Sequence, residues 1–244
     1  MIIRAVGFDF FGTLVEAKAE IERCIGGMCQ KLCQHQINVS PEEFTPVYRE
    51  AALHYRQVRH STHREVNNCV WVATALQRLG YEVEPTSQPI AEAVDAYFSP
   101  WVLTVYEDVW PVIPTLRRRF RIGVISNFTD TGFLRGSLRR LGLGKLFDCV
   151  LVSDEVGHRK PHPIIFNRFL RALKVKAEEA LFVGDDLELD ILGAKGVGMK
   201  TAWIARSGDQ TPPGEPHAAQ PDFIIRSLRD LNHILQPQSD EAII

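Results

Sequence analysis

The chain has 244 residues, 45% of them hydrophobic, which suffices for one large domain or for a core domain with a smaller insert. Its formal net charge of -2 carries no excess of Lys and Arg, which excludes the electrostatic footprint of a nucleic-acid partner. No apolar stretch reaches the roughly 18 residues of a membrane span, and the N-terminus lacks a leader pattern. We therefore expect a cytoplasmic protein without a membrane partner.

The first predicted element is a buried parallel strand that ends at an acid. Residues 2–8 form a nearly unbroken apolar run, and Asp9 follows directly, before the turn sequence Phe10-Phe11-Gly12-Thr13. Ligands of open α/β sheets lie just beyond the carboxyl ends of such strands. Asp9 is therefore a candidate nucleophile.

A helical insert follows the first strand. From Glu16 to about Val105, apolar residues recur at three- and four-residue steps, which is typical of helices. Ser40 is a predicted N-cap, followed by a proline and two acids. The predicted helices run from Ser40 toward His60, from Val66 to about Leu79, and from Ile90 to Phe98. The pattern predicts an all-helical cap domain over residues 16–107.

The cysteines indicate reduced thiols. There are five, an odd and irregularly spaced set, unlike a secreted disulfide framework. Cys24, Cys29, Cys33 and His35 match no usual zinc spacing and recur at helical intervals. We interpret them as core or surface residues of a helix.

Strands and helices alternate beyond Glu107. The predicted strands are 121–126, 149–153, 180–184 and 200–204, and the predicted helices are 111–119, 132–141, 163–173 and 190–197. This alternation predicts an α/β core, a doubly wound parallel sheet formed by residues 1–15 and 108–244, with the insert as a cap over its carboxyl edge. A loop over 207–221, an edge strand over 222–225, a final helix and a disordered end from Gln236 complete the prediction.

Polar residues follow four of the predicted strands. They are Asp9; Ser126 and Asn127; Lys160; and Asp185, Asp186 and Asp190. An acid after a strand is often only a helix N-cap, and Asp185 or Asp186 alone can be interpreted in this way. Together these residue types suit phosphoryl transfer through an aspartyl intermediate, in which a carboxylate attacks, a hydroxyl holds the phosphoryl oxygens and an ammonium balances charge. Carboxylates such as Asp9 and Asp185 also suit Mg²⁺.

These motifs, in this order and over essentially the whole chain, resemble the haloacid dehalogenase (HAD) superfamily of hydrolases with a helical (C1-type) cap. The resemblance implies a Rossmann-like core, Asp9 as nucleophile, Ser126 as phosphate ligand and Lys160 as charge-balancing lysine. It further implies a Mg²⁺ site formed by Asp9, the Phe11 carbonyl and Asp185. Asp190 would orient Lys160 or metal-bound water, and Asp186 would be an outer or alternative ligand. Gly12, Asn127 and Phe11 are predicted to lie against the substrate.

Phe11 departs from the pattern of the family's phosphatases. In those enzymes this position is an Asp that protonates the leaving group, a contribution of typically about 10² to 10⁴ in rate. Phe11 cannot transfer a proton. One possibility is that another group supplies the proton, and His54, His60 and His63 of the cap are candidates. The others are that the leaving group departs without a proton or that the enzyme does not use this step.

The expected function is that of a Mg²⁺-dependent phosphatase acting on a small, anionic phosphorylated metabolite. One alternative is a 2-haloacid dehalogenase, since such enzymes carry an aromatic residue at the position of Phe11 and a halide leaves without a proton. Phosphonate cleavage would need a cap lysine, and only Lys18 and Lys31 are available. A binding protein without turnover is the non-enzymatic alternative.

The partners of the chain are only coarsely predicted. The basic segment 56–65 of the cap indicates either a solvated helix face or a contact to an anionic substrate. Trp71 and Trp101 are interpreted as core residues of the cap. Either a monomer or a homodimer is compatible with the sequence.

Overall fold

A computed structural model describes residues 2–206 and 220–236 of the chain. Within these ranges no helix combines the length and the apolar character that crossing a bilayer requires. The predicted loop over 207–221 lies almost entirely outside the described residues. The predicted disordered end from Gln236 lies outside them as well, except for Gln236 itself.

In the described residues the core is a parallel sheet of six strands. They are β1 (Ala5–Phe8), β4 (Arg121–Ser126), β5 (Cys149–Val152), β6 (Ala180–Gly184), β7 (Lys200–Ile204) and β8 (Phe223–Ile225). Their order in the sheet is β5-β4-β1-β6-β7-β8. All four residues of β1 are buried, as a strand covered on both faces requires. Phe8 aligns with Val124 of β4 and Val183 of β6, so residues after these three strands meet at one edge.

Helices alternate with the strands of the core along the chain, and the last of them follows β8. They are α5 (Val109–Arg117), α6 (Thr131–Arg140), α7 (Ser153–Val156), α8 (Pro163–Leu173), α9 (Gly193–Gly196) and α10 (Leu231–Ile234), and a π-helical turn (Leu187–Leu192) precedes α9. The predicted α/β fold with a parallel sheet is confirmed. The predicted helix from Asp190 to Val197 begins earlier, because Asp186 caps the π-helical turn at its start.

The insert contains α1 (Ile21–Gln34), α2 (Pro41–Thr62), α3 (Asn68–Arg78) and α4 (Gln88–Phe98). Ser40 caps α2, since its Oγ accepts from the Glu43 amide while the Glu43 carboxylate accepts from the Ser40 amide, so the predicted N-cap is confirmed. In α1, Cys24 and Cys29 are buried and Cys33 is exposed. Trp71 is buried, as predicted.

The prediction that the insert is helical from residue 16 to about 105 was wrong at both ends. The strands β2 (Val15–Lys18) and β3 (Val102–Val105) form an antiparallel ribbon in which Val15 aligns with Val105 and Lys18 with Val102. The pairing joins residues far apart in sequence, so local periodicity does not reveal it. The ribbon thus pairs the segment through which the chain leaves the core with the segment through which it returns. This pairing supports our proposal of a cap over 16–107 on a core of 1–15 and 108–244.

The segment between α2 and α3 rests on the core beside the carboxyl edge of the sheet. The Glu65 amide donates to the Gly157 carbonyl (3.1 Å), and the Arg159 amide donates to the His63 carbonyl (3.0 Å). Asn67 Nδ2 donates to an Asp154 carboxylate oxygen at 2.7 Å. The insert thus covers the edge to which Asp9 belongs.

A buried ion pair fixes the backbone next to that edge. Arg206 binds Asp108 through two nitrogens, at 3.0 and 3.1 Å, and one of these nitrogens also donates to the Thr13 carbonyl at 2.6 Å. Asp108 accepts further from Ser227 Oγ and from the Leu228 amide, both at 2.8 Å. Burial alone would raise the pKa of Asp108, but Arg206 and the other donors hold it below its ordinary value. The turn after Asp9 is therefore held by an arginine that follows β7.

Candidate active site

Asp9 lies at the end of β1, and a tight turn follows it. Its amide donates to the Val183 carbonyl at 2.9 Å, and only 7% of the residue is exposed. Gly12 in the turn has a φ of +84°, and a Cβ there would come within 2.2 Å of Asp185 Oδ2. Thr13 Oγ1 donates to Asp185 Oδ1 at 3.3 Å. A glycine at position 12 therefore lets the Asp185 carboxylate lie over the turn, and the predicted contact of Gly12 with substrate stays a prediction.

Lys160 is buried between two carboxylates. Its Nζ lies 2.5 Å from Asp9 Oδ1 and 2.6 Å from Asp190 Oδ1, and it donates to the Ile125 carbonyl at 3.2 Å. Only 2% of its side chain is exposed. Burial opposes the charged ammonium, but Asp190 and Asp9 raise the pKa of Lys160 above its ordinary value. The ammonium is therefore charged at neutral pH.

Asn127 orients the loop that carries Lys160. The Lys160 amide donates to Asn127 Oδ1 at 2.8 Å, and Asn127 Nδ2 donates to the Lys160 carbonyl at 3.0 Å. Both polar atoms of the Asn127 side chain are thus engaged by backbone. A substrate contact by Asn127 stays a prediction, and the geometry assigns its side chain to positioning Lys160.

Three carboxylates gather around this lysine. One oxygen each of Asp9, Asp185 and Asp190 lies within 4.8 Å of the other two. Burial raises the pKa of Asp190 to about 7, with Lys160 opposing the rise. Burial and then Asp190 raise the pKa of Asp185 to about 6. Burial also raises the pKa of Asp9, against the opposing effect of Lys160.

The charge of this cluster suits a divalent cation. When all three carboxylates are ionised, they and the ammonium carry two net negative charges at a site where Asp9 and Asp190 are buried, which is unfavourable without a counter-ion. Oxygen ligands are those that Mg²⁺ prefers. The side chains of Asp9 and Asp185 fit the ion, while the predicted role of the Phe11 carbonyl stays a prediction.

Asp186 does not belong to the cluster. Its Oδ1 accepts from the Glu188 amide at 2.9 Å and from the Leu189 amide at 2.8 Å, so its carboxylate caps the π-helical turn. Its predicted role as a metal ligand has no support in this position. The N-cap interpretation, open from the sequence alone, describes Asp186 but not Asp185.

Ser126 is buried beside the cluster without a hydrogen-bond partner. The residue is 1% exposed, and no group in the described part of the chain bonds its Oγ. A buried hydroxyl without a partner is costly, and it is common where a ligand completes the hydrogen bonding. The position fits the predicted contact of Ser126 with a phosphoryl oxygen.

The Phe11 ring packs among aromatic side chains instead of offering a proton. Its centroid lies 4.8 Å from that of Phe10, 5.1 Å from Phe128 and 6.2 Å from Trp101. Trp101 is partly buried and packs against Phe98 of the insert and against Phe128 of the core, so it lies at their junction and not, as predicted, in the interior of the cap. Such clusters stabilise by burial and by tilted ring contacts. Phe11 thereby joins the turn after Asp9 to the base of the insert.

A cleft of about 190 Å³ opens beside Lys160, between the insert and the core. The insert lines it with Arg56, Arg59, His60 and His63, and the core lines it with Arg159 and Lys160. His54 is exposed and packs against Tyr55 outside this lining, so of the three candidate histidines only His60 and His63 lie at the cleft.

A buried acid beneath the cleft was missed by sequence reasoning. The Glu65 side chain, 2% exposed, lies 3.2 Å from Arg59 and 3.8 Å from Arg159. Ser153 Oγ donates to it at 2.5 Å. The segment 56–65 is therefore more than a solvated helix face. An acid within a basic run was the available signal, but its partners in the core are nearly a hundred residues away.

Comparisons with known proteins agree with this fold. A family model described as a haloacid dehalogenase-like hydrolase matches residues 3–198. The chain is 31% identical over 240 residues to glyceraldehyde 3-phosphate phosphatase of Methanopyrus kandleri, covering 96% of this chain and 98% of that protein.

Two solved structures resemble the chain over nearly its full length. The first is a 2-haloacid dehalogenase from Pseudomonas syringae pv. Tomato DC3000, with 26% identity and a TM-score of 0.69. The second is a HAD phosphatase from Thermococcus onnurineus, with 27% identity and a TM-score of 0.65. Each match covers 96% of this chain and 98% of the other.

Proposed function

The chain belongs to the haloacid dehalogenase-like hydrolases, and on that premise we propose that it is a phosphatase of a small phosphorylated metabolite that acts through an aspartyl-phosphate on Asp9. One observation carries the proposal. Asp9, Lys160 and two further carboxylates converge at the end of β1, beside a buried serine hydroxyl that has no partner among the described residues.

In the proposed reaction, Asp9 attacks the phosphorus atom and the leaving group departs on the opposite side. Ser126 Oγ donates a hydrogen bond to a phosphoryl oxygen, which gives this buried hydroxyl its missing partner. The Lys160 ammonium, held by Asp190 and by the Asn127 clamp, neutralises charge that develops on the phosphoryl group. Water then hydrolyses the aspartyl-phosphate and regenerates Asp9.

A Mg²⁺ ion held by Asp9 and Asp185, and by the Phe11 carbonyl as the family resemblance implies, would offset the repulsion between these carboxylates and a phosphate dianion. Asp190 forms an ion pair with Lys160 and accepts a hydrogen bond from the Asp186 amide, so its part is to orient the lysine. The two net negative charges of the ionised cluster support a requirement for a divalent cation.

The leaving group receives no proton from position 11, because the phenyl ring of Phe11 has none to transfer. The substrate is therefore one whose leaving group departs readily, or His60 or His63 at the cleft supplies the proton. His54 lies outside the lining of the cleft and is the weakest of the three candidates.

A 2-haloacid dehalogenase is the second candidate function. Phe11 and the likeness to the P. syringae 2-haloacid dehalogenase favour it, since a halide departs without a proton. Asp185 argues against it, because that carboxylate lies within 4.8 Å of an oxygen of Asp9 and would repel a carboxylate substrate unless a cation lay between them. The intact nucleophile and lysine argue against a binding protein without turnover.

The test is phosphate release from an activated aryl phosphate with and without Mg²⁺, in parallel with chloride release from 2-chloropropionate. We expect metal-dependent phosphate release that Asp9→Asn abolishes and that the exposed control Asp95→Asn leaves unchanged. Metal-independent chloride release would establish the dehalogenase instead. The absence of both reactions would favour the binding protein.

A further inference from the structure

The cleft between insert and core carries more positive charge than its acids balance. Arg59 and Arg159 share the single buried carboxylate of Glu65, which lies 3.2 and 3.8 Å from their nitrogens. Arg56, exposed on α2, forms no ion pair within residues 2–206 and 220–236. Glu188 is the one acid in the lining itself. The lining therefore retains excess positive charge.

The basic groups of the cleft are held in place before any ligand arrives. The Arg59 guanidinium lies 4.5 Å from the centre of the Trp71 ring, and its side chain is 13% exposed. The Arg159 side chain is 17% exposed and is fixed by Glu65 and by the bond of its amide to the His63 carbonyl. Groups that are already ordered lose little entropy when they bind, so the arrangement suits recognition of an anion.

The cleft adjoins the proposed phosphoryl site, because Lys160 lines it together with the arginines. Lys160 itself is already paired with Asp9 and Asp190. A volume of about 190 Å³ is below that of pockets for drug-sized ligands, roughly 300–1,000 Å³, and leaves room for a short chain that ends in one charged group. The anion that fits is therefore a second group on the molecule whose phosphoryl group reaches Asp9.

Building on the proposed function, we infer that the cleft lined by Arg56, Arg59 and Arg159 binds a second anionic group of the substrate. The substrate class is a small phosphorylated metabolite with a carboxylate or a second phosphate at its far end. Arg56 is the residue free to pair with that group, and Arg159 places charge between it and Lys160. Both are specificity-determining residues and take no part in the chemical step.

The experiment measures binding with inert probes, so that it does not depend on turnover. Phosphonates that carry a terminal carboxylate on a short or a long methylene spacer are compared by calorimetry, in the presence of Mg²⁺, with the matching terminal carboxamides. Bisphosphonates of the same lengths form a third arm. Each carboxamide keeps the phosphonate and the spacer and removes only the second charge, and the third arm distinguishes a phosphate site from a carboxylate site.

We expect at least one anionic probe to bind about tenfold or more tightly than its carboxamide, as a charge-assisted hydrogen bond implies. Arg56→Gln and Arg159→Gln should each reduce that ratio severalfold. Arg49→Gln, the same change at an exposed position two turns earlier on α2 and outside the cleft, should keep it. Arg56 is exposed, so its variant tests the site without a buried substitution.

Equal binding of every charged probe and its carboxamide by the wild type would overturn the inference. So would a preference that survives in both arginine variants. Phosphate release from the aryl phosphate tests the proposed function separately. If the charged probes bind more tightly but no phosphate is released, the cleft is an anion site and the proposed phosphatase function is refuted. If phosphate is released but the charged probes have no advantage, the phosphatase function stands and the anion site is refuted.

Discussion

The ammonium of Lys160 lies 2.6 Å from the Oδ1 atom of Asp190, and 2% of each side chain is exposed. The same ammonium lies 2.5 Å from the proposed nucleophile, Asp9. Asp190 therefore shares the lysine with Asp9 and keeps it at the end of β1. Because Asp190 also neutralises the ammonium, Lys160 reduces the nucleophilicity of Asp9 less than it would if Asp9 were its sole partner.

Replacing Lys160 with Met should lower kcat for an aryl phosphate by at least about 10²-fold, since one preorganised electrostatic group typically contributes that much. Three carboxylates would remain with no ammonium among them. Lys145→Met, at an exposed position, is the control. A folded Lys160→Met variant with near wild-type kcat would remove the lysine from the mechanism.

The unfolding free energy should fall as pH rises when metal is removed. The pKa of Asp185 is raised to about 6 and that of Asp190 to about 7, from 3.8 for each. Between about pH 4 and 7 the folded state thus binds more protons than the unfolded state, so these groups stabilise the fold below pH 4 and that contribution is lost as pH rises through 7. The raised pKa of Lys160 acts only at higher pH.

Mg²⁺ should reverse that loss, because the ion binds the ionised carboxylates of the folded state. Urea unfolding at pH 5 and pH 8, each with chelator or with excess Mg²⁺, is the measurement. At about 100 times its Kd the ion should add about 2.7 kcal/mol to the unfolding free energy. Asp185→Asn should abolish most of this gain, and an equal gain in that variant would refute Asp185 as a ligand.

The rate should depend strongly on the leaving group. A positioned general acid contributes about 10² to 10⁴ in rate, and its absence is felt most by poor leaving groups. We therefore expect kcat for an alkyl phosphate to lie at least about 10²-fold below that for p-nitrophenyl phosphate. Comparable rates for the two would mean that another residue donates the proton, and the variants His60→Gln and His63→Gln would then identify it.

Phe11→Asp should destabilise the fold without abolishing aryl-phosphatase activity. The partly buried ring packs against three aromatic side chains. Removing a fully buried Phe costs about 3–5 kcal/mol, so we expect about 2 kcal/mol here by urea unfolding. Phe11→Leu should lose less. A drop in aryl-phosphatase activity of more than tenfold in folded Phe11→Asp would show that the ring serves the chemistry or the substrate.

Arg206→Gln should lower the unfolding free energy by about 3–5 kcal/mol, because it leaves a buried carboxylate without its partner. Of the donors in the described part of the chain, Asp108, 3% exposed, would keep Ser227 Oγ and the Leu228 amide. The exposed Arg226→Gln is the matched control. If both variants unfold at the same urea concentration, the ion pair does not hold the turn after Asp9.

The core was predictable because its elements carry their own local signals. The bounds of β4, β6, β7 and α8 agree with the sequence prediction, since buried strands give short apolar runs and α8 begins with a proline at its first position. Strand order brings Asp9 and Asp185 together, since they follow the neighbouring strands β1 and β6. Lys160 reaches them from a loop beyond β5 that Asn127 holds in place.

What could not be predicted depends on partners distant in sequence. Nothing near Asn127 shows that its amide group clamps the backbone of Lys160, 33 residues later. Nothing near Glu65 shows that Ser153 donates to it across the boundary between insert and core. The strands β2 and β3 are four residues long, too short for a periodic pattern, and they exist because they pair with each other.

The ribbon of β2 and β3 has a topological consequence. Lys18 and Val102 face each other in register, so the chain leaves and re-enters at neighbouring points, about 5 Å apart. Everything between them is one excursion of the chain that starts and ends at a single place on the core. An insert of another length could be joined there through two neighbouring junctions, which would leave the register of the six core strands unchanged.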